Sequence, residues 1–439
     1  MIQKLGVVAV VVAALVVMGA CRSEPVQITV IETVEVEKLV EVVETVEVEK
    51  VVEKEVTVIE TVEVQAAPEQ QEYVLGVVLP FTGPLGSFGV AFRDGIELAV
   101  EQMNTQLSET NSLVRFTVAS ADTEGSPDGA AKAFQTIVQT SGAQVVVGPL
   151  STSEVLGAKQ FADENEITII APASSGLAAA IPDDFIFRVM NPPDSFASQA
   201  FARISEARGY ETVVILQLDD PFGNGLTAAF QELFDGEVAV VKYAPDPTDL
   251  SSEVAALSAE VASASGSTAV FCICFVGEAQ KALQAALVDS TLRSVDWMGV
   301  ENLRVPEILE DADHAQFLAE GNFTSLSFSA SQNPNTQPFI DAFMSKYDVE
   351  PGPFTNYAYD AANIAMISML MAGNDGAAVQ TIVPFVANHY IGTQVQTYLD
   401  ENGDQSIANY GIYQLADDGS DFIEIGAFDG ASGTVTLDE

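Results

Sequence analysis

Short apolar runs alternate with amphipathic segments of helical length along most of this chain, and that alternation constrains its fold more than any other feature. The first apolar run covers residues 73–79, and in the segment after it Phe92, Ile96, Val100 and Met103 share one helical face. Strand-length runs separated by helices require parallel sheets with helices on both faces. The sequence therefore predicts an α/β fold.

Two series of such elements follow one another. Further strands are expected at 115–120, 144–147, 167–171, 212–218, 238–243, 268–275 and 295–298, and helices at 128–139, 152–164, 195–208, 225–234, 251–264 and 278–288. Because a second series begins after residue 171, the sequence predicts two doubly wound, Rossmann-like lobes. Ligands of such sheets bind beyond the carboxyl ends of the strands, so the strand-to-helix loops are the candidate sites.

The chain is strongly acidic, with 63 Asp and Glu against 17 Lys and Arg and a formal net charge of −46. A surface of this charge repels polyanions, and the sequence has no basic patch, so we expect no nucleic-acid partner. Since 48% of the residues are hydrophobic, the acidity does not indicate global disorder.

The N-terminus predicts export and lipid anchoring. Residues 1–4 make a short positive start, and residues 5–18 form an apolar run typical of a signal peptide. Residues 17–21, Val-Met-Gly-Ala-Cys, resemble a bacterial lipobox, in which the cysteine is lipidated. We expect a signal peptide at 1–20, a lipid on Cys21 that anchors the protein to the membrane, and an extracytoplasmic location in the cell envelope. An ordinary secretory signal is the alternative.

Residues 21–71 differ in composition from the rest. The segment at 30–36 recurs unchanged at 58–64, and Val alternates with Glu in several stretches. Alternation of this kind favours extended structure. We interpret the segment as a spacer between the membrane and the body. Its conformation, whether extended, helical or self-associating, stays open.

Only Cys272 and Cys274 remain after Cys21. In a strand their side chains would point to the same face, a poor geometry for a mutual disulfide, so the sequence predicts two buried thiols. The chain has two histidines, neither near these cysteines in sequence, and we expect no metal site.

Two predicted strands end in loops rich in hydroxyl groups. Ser151 and Thr152 follow the strand at 144–147, and Ser174 and Ser175 follow the strand at 167–171. A helix N-terminus with unpaired N–H groups favours an anion such as a carboxylate. Plain helix capping by Ser151 or Thr152 is the alternative for the first loop.

Three further segments are candidates. Phe88 lies on a Pro/Gly-rich loop that lacks a phosphate-binding motif, and Glu301 follows the last strand of the second series, where it pairs with a ligand ammonium or faces solvent. Residues 400–404 look like a fragment of a calcium loop without its later Gly and Glu, which favours a polar turn. No catalytic motif involves either histidine.

These pieces together resemble the periplasmic type I solute-binding proteins of branched-chain amino acid ABC importers. The resemblance covers about residues 72–430, and its segments are 79–89, 93–99, 148–152, 171–175, 187–189 with Asp194, 357–361 and 400–404. It implies a Venus-flytrap fold of two lobes joined by three crossovers. The first lobe would be 72–193 plus 327–408, and the second 194–326 plus 409–439.

The resemblance also implies site residues. Thr152 and Ser175 match hydroxyl contacts to a ligand carboxylate, and Ala173 matches a backbone contact. Ser151 and Ser174 lie beside these positions.

On the other lobe, Glu301 matches the acid that receives a ligand ammonium, and Asp194 matches an acid near the hinge. Phe88 and Phe222 stand where relatives often have Tyr, so an aromatic wall remains while a hydroxyl is lost.

The function implied is a non-enzymatic, lipid-anchored binding component of an ABC importer. It would bind a branched-chain or related amino acid in the cleft and deliver it to a permease, without a cofactor. Two alternatives stay open. The same fold could bind an amide, a urea or an aromatic carboxylate, or it could serve as a surface sensor.

Overall fold

A computed structural model of the chain describes residues 31–40, 56–65, 70–189, 193–328, 333–352, 354–393, 396–406 and 408–438. The predicted signal peptide and Cys21 lie outside the described residues. Within them, no helix has the length and apolar character needed to cross a bilayer. Two compact units are present, Met1–Glu69 and Gln70–Glu439.

The first unit contains a two-stranded antiparallel ribbon. Strand β1, Ile31–Val40, pairs with β2, Val56–Gln65. Ile31 lies opposite Gln65, and Val40 lies opposite Val56. Of the conformations that the sequence left open, the structure has the extended one for these two strands.

The second unit begins with a five-stranded parallel sheet in the order β4-β3-β5-β6-β7. Its strands are β3 (Gln71–Leu79), β4 (Val114–Asp122), β5 (Val145–Val147), β6 (Thr168–Ile170) and β7 (Ile186–Phe187). The helices between them are α1 (Gly86–Glu109), α2 (Pro127–Ser141) and α3 (Thr152–Asn165). The strand order reverses between β3 and β5, so the loops after these strands open at a topological switch point.

A second sheet of eight strands follows, in the order β15-β14-β13-β12-β11-β10-β8-β9. Its first part alternates α4 (Asp194–Ala207), β8 (Thr212–Leu218), α5 (Pro221–Leu233), β9 (Glu237–Tyr243), α6 (Ser251–Ser263), β10 (Thr268–Ile273), α7 (Val276–Ala286), β11 (Asp296–Gly299), α8 (Ala312–Glu320) and β12 (Thr324–Phe328). These five strands are parallel, and the order in which the chain adds them to the sheet reverses between β8 and β10.

The chain then returns to the first sheet and leaves it again. Helices α10 (Thr355–Ala372) and α11 (Gly376–Ala387), which follow α9 (Thr336–Tyr347), bury their apolar faces in the same core as β3, β5 and α1. Strands β13 (Asn409–Leu415), β14 (Phe422–Asp429) and β15 (Thr434–Leu437) then extend the second sheet in antiparallel fashion. The chain thus passes three times between the sheets.

The predicted α/β fold with parallel, doubly wound sheets is confirmed, and every predicted strand and helix is present to within a few residues. The largest shift is at α5, which begins at Pro221 because Asp220 caps it by accepting the Gly223 N–H at 2.8 Å. Strand β10 ends at Ile273, two residues earlier than its apolar sequence suggests.

The prediction of two free thiols at Cys272 and Cys274 is wrong, because the two residues form a disulfide. Only Cys272 lies in β10, and Cys274 comes after the last strand residue. The two Cα atoms lie 5.5 Å apart, within the range of disulfides. Both residues are buried.

Candidate functional site

A cavity lies where loops from the two parallel sheets meet. It contains about 600 Å³ of atom-free space, a volume that includes its open mouth. Its lining comprises Leu85, Phe88, Phe92, Leu150, Ser151, Thr152, Ala173, Ser174, Ser175, Phe222, Phe275, Glu301, Asn302 and Phe354. The loops after β3, β5 and β6 contribute from the first sheet, and those after β8, β10 and β11 from the second.

The hydroxyl of Ser151 is committed to helix α3. It accepts the Glu154 N–H at 3.4 Å and donates to Glu154 Oε2 at 2.6 Å, while the Ser151 N–H donates to the same oxygen at 2.9 Å. This is a reciprocal capping box. The capping alternative therefore describes Ser151, although the residue also lines the cavity.

Thr152 joins the two hydroxyl-bearing loops. Its Oγ1 accepts the Gly176 N–H at 2.9 Å and lies 3.2 Å from Ser174 Oγ. The loops are neighbours because β5 pairs with β6 in parallel. At the start of α3, the N–H groups of Thr152 and Ser153 have no acceptor within the helix, so this end of the cavity offers donors to an anion.

Two pairs of phenylalanines form the apolar walls. Phe88 and Phe354 have ring centroids 6.3 Å apart, and Phe222 stacks on Phe275 at 5.6 Å with an interplanar angle of 19°. Phe354 has a positive φ of 60°, an uncommon conformation for an aromatic residue and one often found at functional sites. The walls favour an apolar or aromatic group between them.

Two carboxylates lie on the side of the second sheet. Glu301 lines the cavity, and its Oε2 is buried without a hydrogen-bond partner. Asp194, at the start of α4, does not line the cavity; its N–H donates to the Ser175 carbonyl at 2.9 Å, directly behind the lining. Neither carboxylate oxygen of Asp194 has a hydrogen-bond partner at normal distance and angle.

Burial raises the pKa of both acids. The pKa of Asp194 rises to about 8, first because of burial and then because of the nearby Glu301 charge, while the neighbouring Ser175 hydroxyl and Arg188 lower it. Burial also raises the pKa of Glu301. The site therefore holds two acids that are poorly compensated by protein groups.

A buried ion pair fixes the loop that carries Ser174 and Ser175. Arg188 Nε donates to Asp404 Oδ1 at 2.6 Å, its Nη2 donates to Asp404 Oδ2, and its Nη1 donates to the Gly176 carbonyl at 2.6 Å. The segment at 400–404 forms the predicted polar turn. In it, the Asp400 carboxylate accepts hydrogen bonds from the N–H groups of Asn402 and Asp404. Within the described residues no acidic, cysteine or histidine cluster suits a metal ion.

Eight of the nine residues expected at the site line one cavity, and Asp194 lies just outside it. Their roles in ligand binding stay predictions. The sequence did not point to Leu85, Phe92, Leu150, Phe275, Asn302 or Phe354. Phe275 had a usable signal, since it is the last residue of a predicted strand. Phe354 had no such signal, because it comes from a segment far away in sequence.

Similarity to known proteins extends over most of the chain, in sequence and in fold. A family model described as periplasmic binding protein matches residues 72–388. The Leu/Ile/Val-binding protein homolog 3 of Brucella melitensis is 24% identical over 365 residues, which cover 79% of this chain and 92% of that protein.

Among solved structures, a leucine-binding protein of Thermotoga maritima superposes with a TM-score of 0.69 at 21% identity, covering 82% of this chain and 99% of that one. A solute-binding protein of an ABC transporter from R. palustris, in complex with benzoate, superposes with a TM-score of 0.68 at 18% identity, covering 84% and 98%. At these identities the superpositions establish a shared fold.

Proposed function

The chain belongs to the periplasmic binding protein family, and from that premise we propose that it binds an amino acid with an apolar side chain for an ABC importer. The family consists of binding proteins, and we propose no catalytic activity. The similarity to a Leu/Ile/Val-binding protein homolog supports this ligand class.

One observation carries the proposal. A single cavity combines the N–H and hydroxyl groups at the start of α3 with the unpartnered Oε2 of Glu301. An α-carboxylate matches the first set of groups, because they are donors at a helix N-terminus. An α-ammonium matches Glu301, because a buried carboxylate without a partner is costly and an ammonium relieves that cost.

The apolar part of the ligand would lie between the phenylalanines. Phe88 and Phe354 approach from the first sheet, and Phe222 and Phe275 from the second. Because the contacts come from both sheets, a ligand would favour the closed arrangement of the lobes at 72–193 plus 327–408 and 194–326 plus 409–439. We propose that a permease recognises this closed form.

The location is part of the same proposal. A signal peptide at 1–20 and a lipid on Cys21 would hold the protein on a membrane of the cell envelope, outside the cytoplasm. Metabolic labelling with a radioactive fatty acid tests this. We expect the wild-type protein to be labelled and Cys21→Ala to be unlabelled, and an unlabelled wild-type protein would contradict lipid anchoring.

Calorimetric titration of the purified body with a panel of amino acids tests the ligand class. Glu301→Gln should weaken binding about 10- to 100-fold, because a charge-assisted hydrogen bond contributes roughly 1.5–3 kcal/mol. Glu232→Gln is a matched control, since Glu232 is exposed on α5, and it should bind like the wild type. A folded protein that binds no zwitterionic amino acid would refute the proposal.

An aromatic carboxylate is the second candidate ligand, favoured by the four phenylalanine rings and by the benzoate complex of the R. palustris protein. Such a ligand has no ammonium. Benzoate should then bind more tightly than leucine, and Glu301→Gln should leave its affinity unchanged or improve it.

A further inference from the structure

A second cavity adjoins the candidate site. It contains about 1150 Å³ of atom-free space, a volume that includes open solvent, and Glu301 and Phe354 line both cavities. The rest of its lining comes mainly from β12, α9 and the start of α10, together with Arg304 from the loop after β11. Because the two cavities share lining residues, a ligand too long for the first would extend into the second.

Arg304 supplies a positive charge to this second cavity. It is half-buried, its Nη2 donates to Ser327 Oγ at 2.9 Å, and its guanidinium carbon lies 4.6 Å from the centroid of the Tyr413 ring. Among the described residues no carboxylate forms an ion pair with it, although the chain has 63 acidic and 17 basic residues. A guanidinium held by a hydroxyl and a ring keeps its charge for a ligand carboxylate, which it can bind through two N–H groups.

Glu301 and Arg304 line this cavity with opposite chemistry and form no ion pair with each other. Their backbones are joined by a tight turn, in which the Arg304 N–H donates to the Glu301 carbonyl at 3.1 Å. The side-chain oxygen Oε2 of Glu301 is buried without a hydrogen-bond partner, which is costly until a donor arrives. One turn thus presents an acceptor for a cation and a donor for an anion.

The polar groups of the two cavities follow a definite order. The start of α3 donates to an anion in the first cavity, Glu301 accepts a cation where the cavities adjoin, and Arg304 donates to an anion in the second. An amino acid with a carboxylate on its side chain has the matching order of carboxylate, ammonium and carboxylate. The methylene groups of such a side chain would pass Phe354, the apolar residue that lines both cavities.

We propose that the second cavity is a subsite for a side-chain carboxylate, held by Arg304, and that the protein binds dicarboxylic amino acids in addition to apolar ones. The inference rests on the proposed amino-acid function for the positions of the α-carboxylate and the α-ammonium. The net charge of −46 opposes the approach of any anionic ligand, so the affinity for a dicarboxylic amino acid depends on a local cation.

Calorimetric titration of the wild-type protein with L-leucine, L-glutamine, L-glutamate and L-2-aminoadipate tests the subsite. At least one of the two acidic amino acids should bind about tenfold or more tightly than L-glutamine, because a neutral amide leaves the guanidinium without an anion. The two acids differ by one methylene group, so their comparison also measures the length of side chain that reaches Arg304.

A substitution of the guanidinium separates the subsite from the rest of the cleft. Arg304→Gln should weaken binding of the acidic amino acid about 10- to 100-fold, because a charge-assisted hydrogen bond is lost. It should leave the affinity for L-leucine unchanged, since leucine has no group that pairs with Arg304. Arg115→Gln is the matched control, at an exposed arginine on β4, and should bind every ligand like the wild type.

The outcomes separate the two proposals. Leucine binding without binding of either acidic amino acid overturns the subsite and leaves the proposed function standing. Equal losses for leucine and the acid in Arg304→Gln also overturn it, because Arg304 would then hold the α-carboxylate that both ligands share. Binding of an acid without leucine supports the subsite and overturns the apolar ligand class.

A folded wild-type protein that binds no amino acid overturns both proposals. If Arg304→Gln does not fold, the wild-type comparison of the acidic amino acids with L-glutamine decides the subsite, and equal affinities for glutamate, 2-aminoadipate and glutamine overturn it.

Discussion

Removing the carboxylate of Asp404 should destabilise the unit Gln70–Glu439 more than removing an exposed charged side chain does. Arg188 and Asp404 are each 1% exposed, and Asp404 holds two of the guanidinium nitrogens. In Asp404→Ala the guanidinium keeps, among the described residues, the Gly176 carbonyl alone. A buried charge without its partner costs about 3–5 kcal/mol.

The size of the unit converts this cost into a melting temperature. Gln70–Glu439 is about 370 residues long, and an unfolding entropy of about 2.1 cal/mol/K per residue gives about 0.8 kcal/mol/K. Asp404→Ala should therefore lower Tm by about 4 to 6 °C in differential scanning calorimetry. Replacing both partners, as Arg188→Met with Asp404→Leu, should recover most of the loss because no unpaired charge remains.

The control is Asp219→Ala, which breaks the ion pair with Lys242 at 3.1 Å. Both of these side chains are about half exposed, so Tm should fall by less than about 1 °C. The reasoning fails if Asp404→Ala and Asp219→Ala shift Tm equally, or if the double variant is as unstable as Asp404→Ala.

Two more substitutions give distinct outcomes. Thr152→Val should lower the unfolding free energy by about 1–3 kcal/mol and weaken ligand binding, because the buried Gly176 N–H loses its acceptor. The control is Thr227→Val, at a buried hydroxyl without a partner, which should be neutral or stabilising. An equal loss of stability in both variants would contradict this reasoning. Burial raises the pKa of Asp360 to about 7, so its contribution to stability is full below about pH 4 and is lost as pH rises through 7. Urea unfolding from pH 4 to 8 should therefore show wild type losing stability relative to Asp360→Asn, and a constant difference would contradict this.

The sequence predicts the elements of this fold well because their apolar periodicities are regular, and it fails where an apolar run continues beyond its strand. The run at 268–275 has strand-like residues throughout, yet β10 ends at Ile273. The two errors at Cys274 and Phe275 have this one cause. A strand end depends on pairing with β8 and β11, which a single segment does not encode.

The sequence could predict some residues of the candidate site but not others. Thr152 and Ser175 could be found because neighbouring parallel strands bring their carboxyl-end loops together. The ion pair of Arg188 with Asp404 could not be predicted, since 216 residues separate its partners and no local pattern links them. The sequence also could not show that Glu301 Oε2 is buried without a hydrogen-bond partner, because this depends on the whole fold.

The pairing of β1 with β2 limits how far the segment before Gln70 can extend. From Cys21 to Gln70 a fully extended chain could span about 170 Å, at roughly 3.5 Å per residue. Because Ile31 lies opposite Gln65, the residues from 31 to 65 start and finish side by side and add almost no length. About 15 residues outside the ribbon remain, which reach at most about 50 Å. If the proposed lipid on Cys21 is present, this short connection would keep Gln70 within about 50 Å of the membrane and raise the effective concentration of a membrane partner.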